Sequence, residues 1–162
     1  MRKLIRWYKF GELVLAIDLS EDGPRVIALI GAEEHVLKTA SFLRATRWVR
    51  HFREIGSDRK RAYLSLIPKR LEKVKPFLEI IKIHRDVDTI QVVVKELKPI
   101  LVIVDDKLYS KIQYFRKVKE SRVKERHRKK LILIADNLAN YFRMLLKNNP
   151  KKFKEELKRF EK

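Results

Sequence analysis

The segment LVLAIDLSEDGPRVIALIG, residues 13–31, contains two apolar runs separated by the turn sequence EDGP. Short apolar runs that are bounded by turn residues predict strands buried within a sheet. We therefore expect an antiparallel hairpin, with LVLAIDLS (Leu13 to Ser20) as its first strand and RVIALIG as its second. Asp18 is the one acidic residue inside the first of these strands.

A later apolar run, ILVIV at residues 100–104, predicts another buried strand, and two adjacent aspartates, Asp105 and Asp106, follow it directly. The preceding segment DVDTIQVVVKELKP, residues 86–99, combines an acidic first turn with a proline stop and predicts a short helix. The segment KLYSKIQYF after the aspartates has helical spacing, so a turn or a helix cap is one interpretation of the acidic pair. A functional site at the end of the strand is the other interpretation.

The stretch between these strands is less regular. The segment AEEHVLKTAS, residues 32–41, fits either a third strand or the start of a helix, and we favour a strand. Apolar residues recur at helical spacing from Ser41 to Ile55, which predicts a helix with a basic exterior. The segment AYLSLI, residues 62–67, predicts a short strand, and PKRLEKVKPFLEIIKI, residues 68–83, predicts a helix that starts with a proline.

The C-terminal part of the sequence predicts two helices. In LILIADNLANYFRMLLKNNP, residues 131–150, the apolar residues share one helical stripe, which favours a single helix with Asp136 within it. A strand over residues 131–135, with Asp136 opening the helix, is the alternative. The segment KKFKEELKRFEK, residues 151–162, predicts an amphipathic basic helix that docks on the body of the protein or on a neighbouring subunit.

The composition indicates a soluble protein with one domain. The chain has 162 residues, no cysteine, and 40 lysine and arginine residues against 21 acidic residues, which gives a net charge of +19. Charges interrupt every apolar run before it reaches the length of a signal peptide or membrane span, so we expect a cytoplasmic protein without membrane contact. The charged fraction of 38% resembles that of hyperthermophile proteins.

The excess of positive charge predicts nucleic acid as the partner. Cations alternate with aromatic residues in RKLIRWYKF (residues 2–10) and RATRWVRHF (residues 44–52), and they are dense in RKVKESRVKERHRKK (residues 116–130). Such mixtures suit single strands, because unpaired bases stack on aromatic rings while cations follow the phosphates. The candidate strand-binding residues are Arg47, Trp48, Arg50, Arg122, Lys124, Arg126, Arg128, Lys129 and Lys130.

Aspartates occur in three widely separated apolar segments: Asp18, Asp105 or Asp106, and Asp136. If the first and later strands are neighbours and the last helix packs over them, these side chains converge. Like charges at short distance raise one another's pKa, and divalent cations relieve the repulsion. An acidic pocket in a basic protein suits metal-dependent hydrolysis of a phosphodiester, in which paired metal ions activate water and stabilise the leaving oxygen.

Other chemistries find less support in the sequence. The chain contains no glycine-rich phosphate loop, no nucleophile elbow and no paired cysteine and histidine ligands for zinc. The alternative that stays open is a non-catalytic module that binds single-stranded nucleic acid or belongs to a ribonucleoprotein. Metal dependence separates that module from a nuclease.

Three motifs carry a family resemblance. VLAIDLS before a hairpin turn, LVIVDD before a helix, and IADNLANYF within the last long helix resemble the acidic motifs of the RNase H-like nuclease superfamily. The Ala-Asp-x-Leu-Ala pattern at residues 135–139 is similar to the last motif of its Holliday-junction-resolvase branch. The resemblance implies Mg²⁺ or Mn²⁺ on Asp18, Asp105 and Asp136, with Asp106 as the alternate to Asp105 because adjacent strand residues point to opposite faces.

The same resemblance implies a fold and a substrate. The fold is α/β, a single domain in which antiparallel hairpin strands and a parallel strand form a mixed sheet flanked by helices. Residues 1–149 would form this RNase H-like nuclease domain, and residues 150–162 the C-terminal amphipathic basic helix. A fourth carboxylate often lies early in the helix before the fourth strand, where Asp88 is the candidate and Asp86 its neighbour. The small lysine-rich chain is similar to archaeal single-strand-specific 3′ to 5′ DNA exonucleases, which implies single-stranded DNA in preference to RNA.

Overall fold

The computed structural model describes residues 11–162, so the predicted contact segment at residues 2–10 lies outside the described residues. These residues have an α/β architecture built on one mixed sheet of five strands. The strands follow the spatial order β3-β2-β1-β4-β5. Their bounds are β1 (Leu13–Ser20), β2 (Val26–Glu33), β3 (Ile80–His84), β4 (Leu101–Val104) and β5 (Lys117–Lys119).

Strand β1 lies at the centre of the sheet and determines where the acidic residues go. It pairs antiparallel with β2 and parallel with β4, while β3 is antiparallel to β2 and β5 is parallel to β4. The predicted hairpin and the predicted strand at residues 100–104 are therefore confirmed. The hairpin turn contains Gly23 with a φ of +99°, a conformation that glycine adopts without steric cost. Because β1 and β4 are parallel, their carboxyl ends meet at one edge of the sheet.

Helices cover both faces of the sheet. The long helix α6 packs across β1 and β2 on one face, and α5 packs on the other. No helix in the described part of the chain is long and apolar enough to cross a membrane. The helix bounds are α1 (Glu34–Leu37), α2 (Ala40–Ala45), α3 (Lys60–Ser65), α4 (Ile67–Val74), α5 (Val87–Leu97), α6 (Arg126–Asn148) and α7 (Pro150–Phe160).

The pleat of the strands decides which acids face α6. Ala16 of β1 and Ile103 of β4 belong to the core under α6, whereas Ile17 and Val104 belong to the core under α5. Side chains alternate along a strand, so an acid two positions after Ala16, Asp18, also faces α6. Small residues allow the helix to approach the sheet closely on this side: Ala16, Ala28, Ala135 and Ala139.

The segment after β2 differs from the prediction. The first two residues of AEEHVLKTAS complete β2 and the following ones enter α1 and α2, so the favoured third strand is wrong. Thr39 favours the helix, because its Oγ1 accepts a hydrogen bond from the backbone N of Phe42 at 3.2 Å and caps α2.

The helix predicted from Ser41 to Ile55 ends at Ala45. Thr46 Oγ1 donates to the carbonyl oxygen of Phe42 at 2.8 Å, and such a bond competes with continuation of the helix. The chain then reaches a single 3-10 turn at Phe52–Glu54. The strand predicted at residues 62–67 is also wrong, because these residues lie in α3 and at the start of α4.

The helix predicted over residues 68–83 is half right. Helix α4 begins with a proline in its first turn, as expected, but it ends at Val74. Pro76 has no amide hydrogen to donate and cannot extend a helical ladder. Residues Lys75–Phe77 form a 3-10 turn, and Ile80–His84 form β3, a strand that the sequence pattern did not predict.

The outcome is also mixed after β4. The KLYSKIQYF segment forms only a 3-10 turn at Tyr109–Lys111, so a helix there is wrong, and the short strand β5 follows. The predicted helix α5 and the single helix containing Asp136 are confirmed, which excludes the alternative strand at residues 131–135. Helix α7 docks on the body: Phe160 is buried, and Lys162 N donates to Ile81 O at 3.0 Å.

Candidate metal centre

Three carboxylates meet at the edge where β1, β4 and β5 end. Asp18, Asp105 and Glu120 each offer one oxygen atom, and these atoms all lie within 4.8 Å of one another. Asp18 is 2% exposed, and the other two residues are half-buried. Oxygen ligands at this separation suit a hard divalent cation, so the group could hold a metal ion.

Asp18 is placed where its charge is poorly compensated by protein groups. Its Oδ1 accepts from the backbone N of Leu19 at 2.8 Å, but its buried Oδ2 has no hydrogen-bond partner among residues 11–162. Burial raises the pKa of Asp18 well above its usual range, and the neighbouring Asp105 and Asp136 raise it further. A cation at this position would favour the ionised form.

The side chains of Asp105 and Asp106 point in different directions, because adjacent residues at the end of a strand project to opposite faces of the sheet. Asp105 is held in the cluster: its backbone N donates to Ile17 O at 2.9 Å, and its Oδ1 accepts from Lys107 N at 3.0 Å. Asp106 is exposed, and its Oδ1 accepts from the backbone N of Ser121 at 3.1 Å. Hydrogen bonding with Ser121, mainly through its side chain and also through its backbone N, lowers the pKa of Asp106. Asp105 is therefore the acid of the cluster, while Asp106 holds the turn that carries Glu120.

Asp136 lies beside this group on α6 and is 6% exposed. Its Oδ2 accepts from the backbone N of Phe52 at 2.7 Å, and its Oδ1 accepts from Asn140 Nδ2 at 3.3 Å. Burial raises the pKa of Asp136, and the Phe52 amide opposes that rise. Asp136 adds a fourth carboxylate next to the cluster, on the face of the sheet where Asp18 lies.

Two residues of the site were missed by sequence reasoning, Glu120 and His51. His51 Nε2 lies 3.3 Å from Glu120 Oε1, and His51 Nδ1 lies 3.7 Å from Asp136 Oδ2. The hydrogen bond to Glu120 raises the pKa of His51. No sequence motif marks either residue. Glu120 lies in a lysine-rich run after a three-residue strand, and His51 lies in an arginine-rich segment that is distant in the sequence.

The candidate for a fourth acid, Asp88, lies elsewhere. It is exposed in the first turn of α5, on the helix that covers the opposite face of the sheet, and the three-carboxylate group does not include it. Its neighbour Asp86 caps the same helix by accepting from Thr89 N at 2.9 Å.

A groove of about 1700 Å³ opens over the acids. Its floor contains Asp18, Asp105, Glu120 and Asp136, and its walls come from α6 and from the segment between α2 and α4. Cations are abundant among its lining residues: Arg50, Arg53, Lys60, Arg61, Lys107, Lys129, Arg143, Lys147 and Lys152. A polyanion in this groove would pass directly over the carboxylates.

The candidate strand-binding residues divide by their contacts. Arg50 and Lys129 line the groove. Arg128 is instead paired with the buried Glu34, and Lys130 Nζ donates to Thr46 O at 3.2 Å. The Trp48 ring packs under the guanidinium of Arg70 at 5.1 Å. The remaining candidates are exposed: Arg47, Arg122, Lys124 and Arg126.

No protein-family model matches the chain, and no curated protein matches it. The function is therefore inferred from the chemistry of the site.

Proposed function

We propose that this chain is a metal-dependent nuclease with an RNase H-like fold that hydrolyses single-stranded DNA from its 3′ end. The observation that supports it best is Asp18, whose buried Oδ2 lacks a hydrogen-bond partner in the described chain, within a carboxylate group under a cation-rich groove. A buried charge without a partner is costly, and a bound cation removes that cost.

The sheet supports the RNase H-like assignment. A central β1 that is antiparallel to β2 and parallel to β4 is the mixed sheet that the resemblance implies, and it brings two of the three motif aspartates to one edge. Helix α6 adds the third motif aspartate from the face that Asp18 occupies.

The residues divide into two roles. Asp18, Asp105 and Glu120 would hold Mg²⁺ or Mn²⁺, with Asp136 as a further acid beside them. The metal, when bound, supplies an activated water and stabilises the leaving oxygen. The cations of the groove hold the phosphates of the strand and offset the repulsion between phosphate and carboxylate.

The test incubates 5′-labelled single-stranded and double-stranded DNA and RNA with the protein and Mn²⁺ or Mg²⁺, beside a chelator control. The key variant is Asp18→Asn, and Asp88→Asn is the matched control because it makes the same change at an exposed acid outside the cluster. We expect shortening of single-stranded DNA by the wild type and by Asp88→Asn. We expect a loss of about 100-fold or more in Asp18→Asn, because metal catalysis contributes several kcal/mol.

The ladder of labelled products reports the direction and the substrate. A progressive loss of 3′ nucleotides fits the proposed polarity, and internal cuts contradict it. Intact substrate in every lane with a retained gel shift would contradict the nuclease and favour the non-catalytic binding module.

A further inference from the structure

Phe115 is the most exposed of the large apolar side chains in the described residues. Its exposed fraction is 81%, against 56% for Val92 and 44% for Leu66. Burying a phenylalanine side chain stabilises a protein by about 1.5–3 kcal/mol relative to leaving it in water, and the exposed Phe115 ring does not contribute this stabilisation. It lies in the connection from β4 to β5, outside the groove over the acids.

The backbone around Phe115 is fixed on both sides. The Gln91 side chain makes two hydrogen bonds to Gln113, accepting from its N at 2.6 Å and donating to its O at 2.8 Å. Tyr114 OH donates to Pro99 O at 2.5 Å, and Arg116 O accepts from Val102 N at 2.9 Å. The exposed ring therefore stands on an anchored segment.

The surroundings of this ring are cationic and aromatic. Residues 107–119 contain five lysine or arginine residues and no acid. The Arg116 guanidinium lies 5.5 Å from the centre of the Phe115 ring, and the Tyr114 ring lies 4.9 Å from it. Lys117 Nζ stands 4.1 Å from the centre of the Tyr109 ring. Lysines also protect edge strands from pairing, but that role does not require an exposed phenylalanine.

We infer that this surface, the Phe115 edge (Tyr114, Phe115, Arg116, Lys117 and Lys119), is a second contact for single-stranded nucleic acid, on which one base stacks. The inference rests on the proposed function, since it extends the path of the same substrate beyond the groove. The charge argues against a second copy of the chain as occupant, because two such edges would bring their lysines together.

The spacing sets the length of strand that can reach both sites. Phe115 and Glu120 are five positions apart in the sequence with β5 between them, so their backbones are at most about 17 Å apart at 3.3 Å per residue. A stacked strand advances about 3.4 Å per nucleotide, so about five nucleotides separate the stacked base from the carboxylates. A strand that keeps this stacked spacing and is shorter than that does not reach both sites.

The experiment measures binding of a 12-nucleotide and a 4-nucleotide single-stranded DNA in chelator, by fluorescence anisotropy of labelled strands. The variants are Phe115→Ala and Phe115→Trp, with Val92→Ala as the control at another exposed apolar residue. Stacking of one base is worth about 1–3 kcal/mol, so Phe115→Ala should weaken 12-mer binding about 5- to 150-fold and 4-mer binding less. Phe115→Trp should retain affinity, and the 12-mer should quench tryptophan emission beyond the quenching seen in the wild type.

An unchanged 12-mer affinity in Phe115→Ala would overturn the inference. If the molecular mass of that variant by light scattering also differs from that of the wild type, the edge is assigned to contact between copies instead. The binding arms contain no divalent metal and need no hydrolysis. Failure of the nuclease proposal, seen as uncut DNA, is therefore distinguishable from failure of this one.

Discussion

Asp18 occupies an environment that opposes its own charge, and the fold keeps it there. Its folded-state pKa is raised, so the stability that comes from its neutral form is present below the ordinary aspartate pKa and is lost as pH rises through the raised value. The metal-free protein therefore carries a destabilising carboxylate at neutral pH.

Replacing Asp18 with Asn should stabilise the metal-free protein at neutral pH. We expect a gain of about 1–3 kcal/mol in the free energy of unfolding, the usual cost of an unsatisfied buried polar group. The gain should shrink as pH falls through the raised pKa to the ordinary aspartate value of about 4, below which the Asp18 carboxyl is neutral in both the folded and the unfolded wild type. Denaturant titrations of both proteins in chelator measure it, and equal stabilities at pH 7 would contradict the prediction.

Tyr141 provides a second test of how burial of an ionisable side chain affects stability, in this case at alkaline pH. Burial raises its pKa to about 12, and its hydroxyl has no hydrogen-bond partner in the described part of the chain. A raised pKa means that stability is complete below the ordinary tyrosine value of about 10 and is lost as pH rises towards the folded value. Tyr141→Phe should therefore lose less stability than the wild type between pH 10 and pH 12.

The control for that measurement is Tyr109→Phe, which removes a hydroxyl from a half-buried ring elsewhere. Thermal unfolding at several alkaline pH values gives the comparison. If Tyr141→Phe and the wild type lose the same stability between pH 10 and pH 12, ionisation of Tyr141 does not contribute to the alkaline loss of stability.

At the scale of elements, a chain of hydrogen bonds connects α6 to the hairpin. Arg143 Nε donates to Ser20 Oγ at 2.6 Å, Ser20 Oγ donates to Asn140 Oδ1 at 3.0 Å, and Asn140 Nδ2 donates to Asp136 Oδ1 at 3.3 Å. These contacts fix the rotamer of Asp136 relative to the end of β1. Outer hydrogen bonds of this kind typically tune metal affinity.

Asn140→Ala should weaken Mn²⁺ binding about 10- to 100-fold, because Asp136 loses the amide that orients it. Calorimetric titration of Mn²⁺ measures the change without any need for substrate. Asn148→Ala, an exposed asparagine at the end of the same helix, should bind Mn²⁺ like the wild type. Equal Mn²⁺ affinity in both variants would show that the Asn140 amide does not position a metal ligand.

The elements also show how far the sequence alone could go. The hairpin, β4, α5 and the body of α6 have distinct apolar patterns, so these elements were predicted correctly, although α6 begins at Arg126, before the predicted segment. Asp18, Asp105 and Asp136 were identified as candidates because they lie in or directly after these elements. Strand β3 follows a helix with no glycine between them, and its apolar residues continued the helical pattern. Strand β5 has three residues, two of them lysine, which is too short for alternation to register.

That last point explains why Glu120 was missed. Its position depends on the parallel pairing of β5 with β4, a contact that local propensity does not encode. The placement of His51 depends on the segment between α2 and α4 folding back onto α6. Both residues reach the site through tertiary contacts, whereas the aspartates sit in elements that the pattern itself identifies.

At the scale of the whole molecule, the net charge of +19 attracts polyanions, and the proposed binding of DNA should depend on it. Binding of single-stranded DNA in chelator should weaken steeply with salt, because each neutralised phosphate releases counterions and contributes a slope of about −0.7 in a plot of log affinity against log salt. Asp18→Asn should bind DNA more tightly than the wild type in chelator, since one repulsive carboxylate is gone.

Filter binding or anisotropy between 50 mM and 200 mM salt measures both effects. Asp88→Asn again serves as the control, because its carboxylate lies on another face of the protein. Equal affinities for the Asp18 variant and the wild type would mean that the strand does not pass over the carboxylates.

The parallel pairing of β1 with β4 has a consequence for how the protein folds. Val14 pairs with Leu101, so a long stretch of chain must be ordered before the ends of these strands meet. Contacts between distant residues form slowly, because the entropy of closing the loop is lost before they compensate. The carboxylates of the proposed metal site come from the ends of β1 and β4 and from the turn after β5, with Asp136 beside them on α6, so they assemble only when the sheet is complete. During refolding, binding of Mn²⁺ should therefore occur later than the recovery of the helical circular-dichroism signal. Mn²⁺ binding would then report the last step of folding, the completion of the sheet.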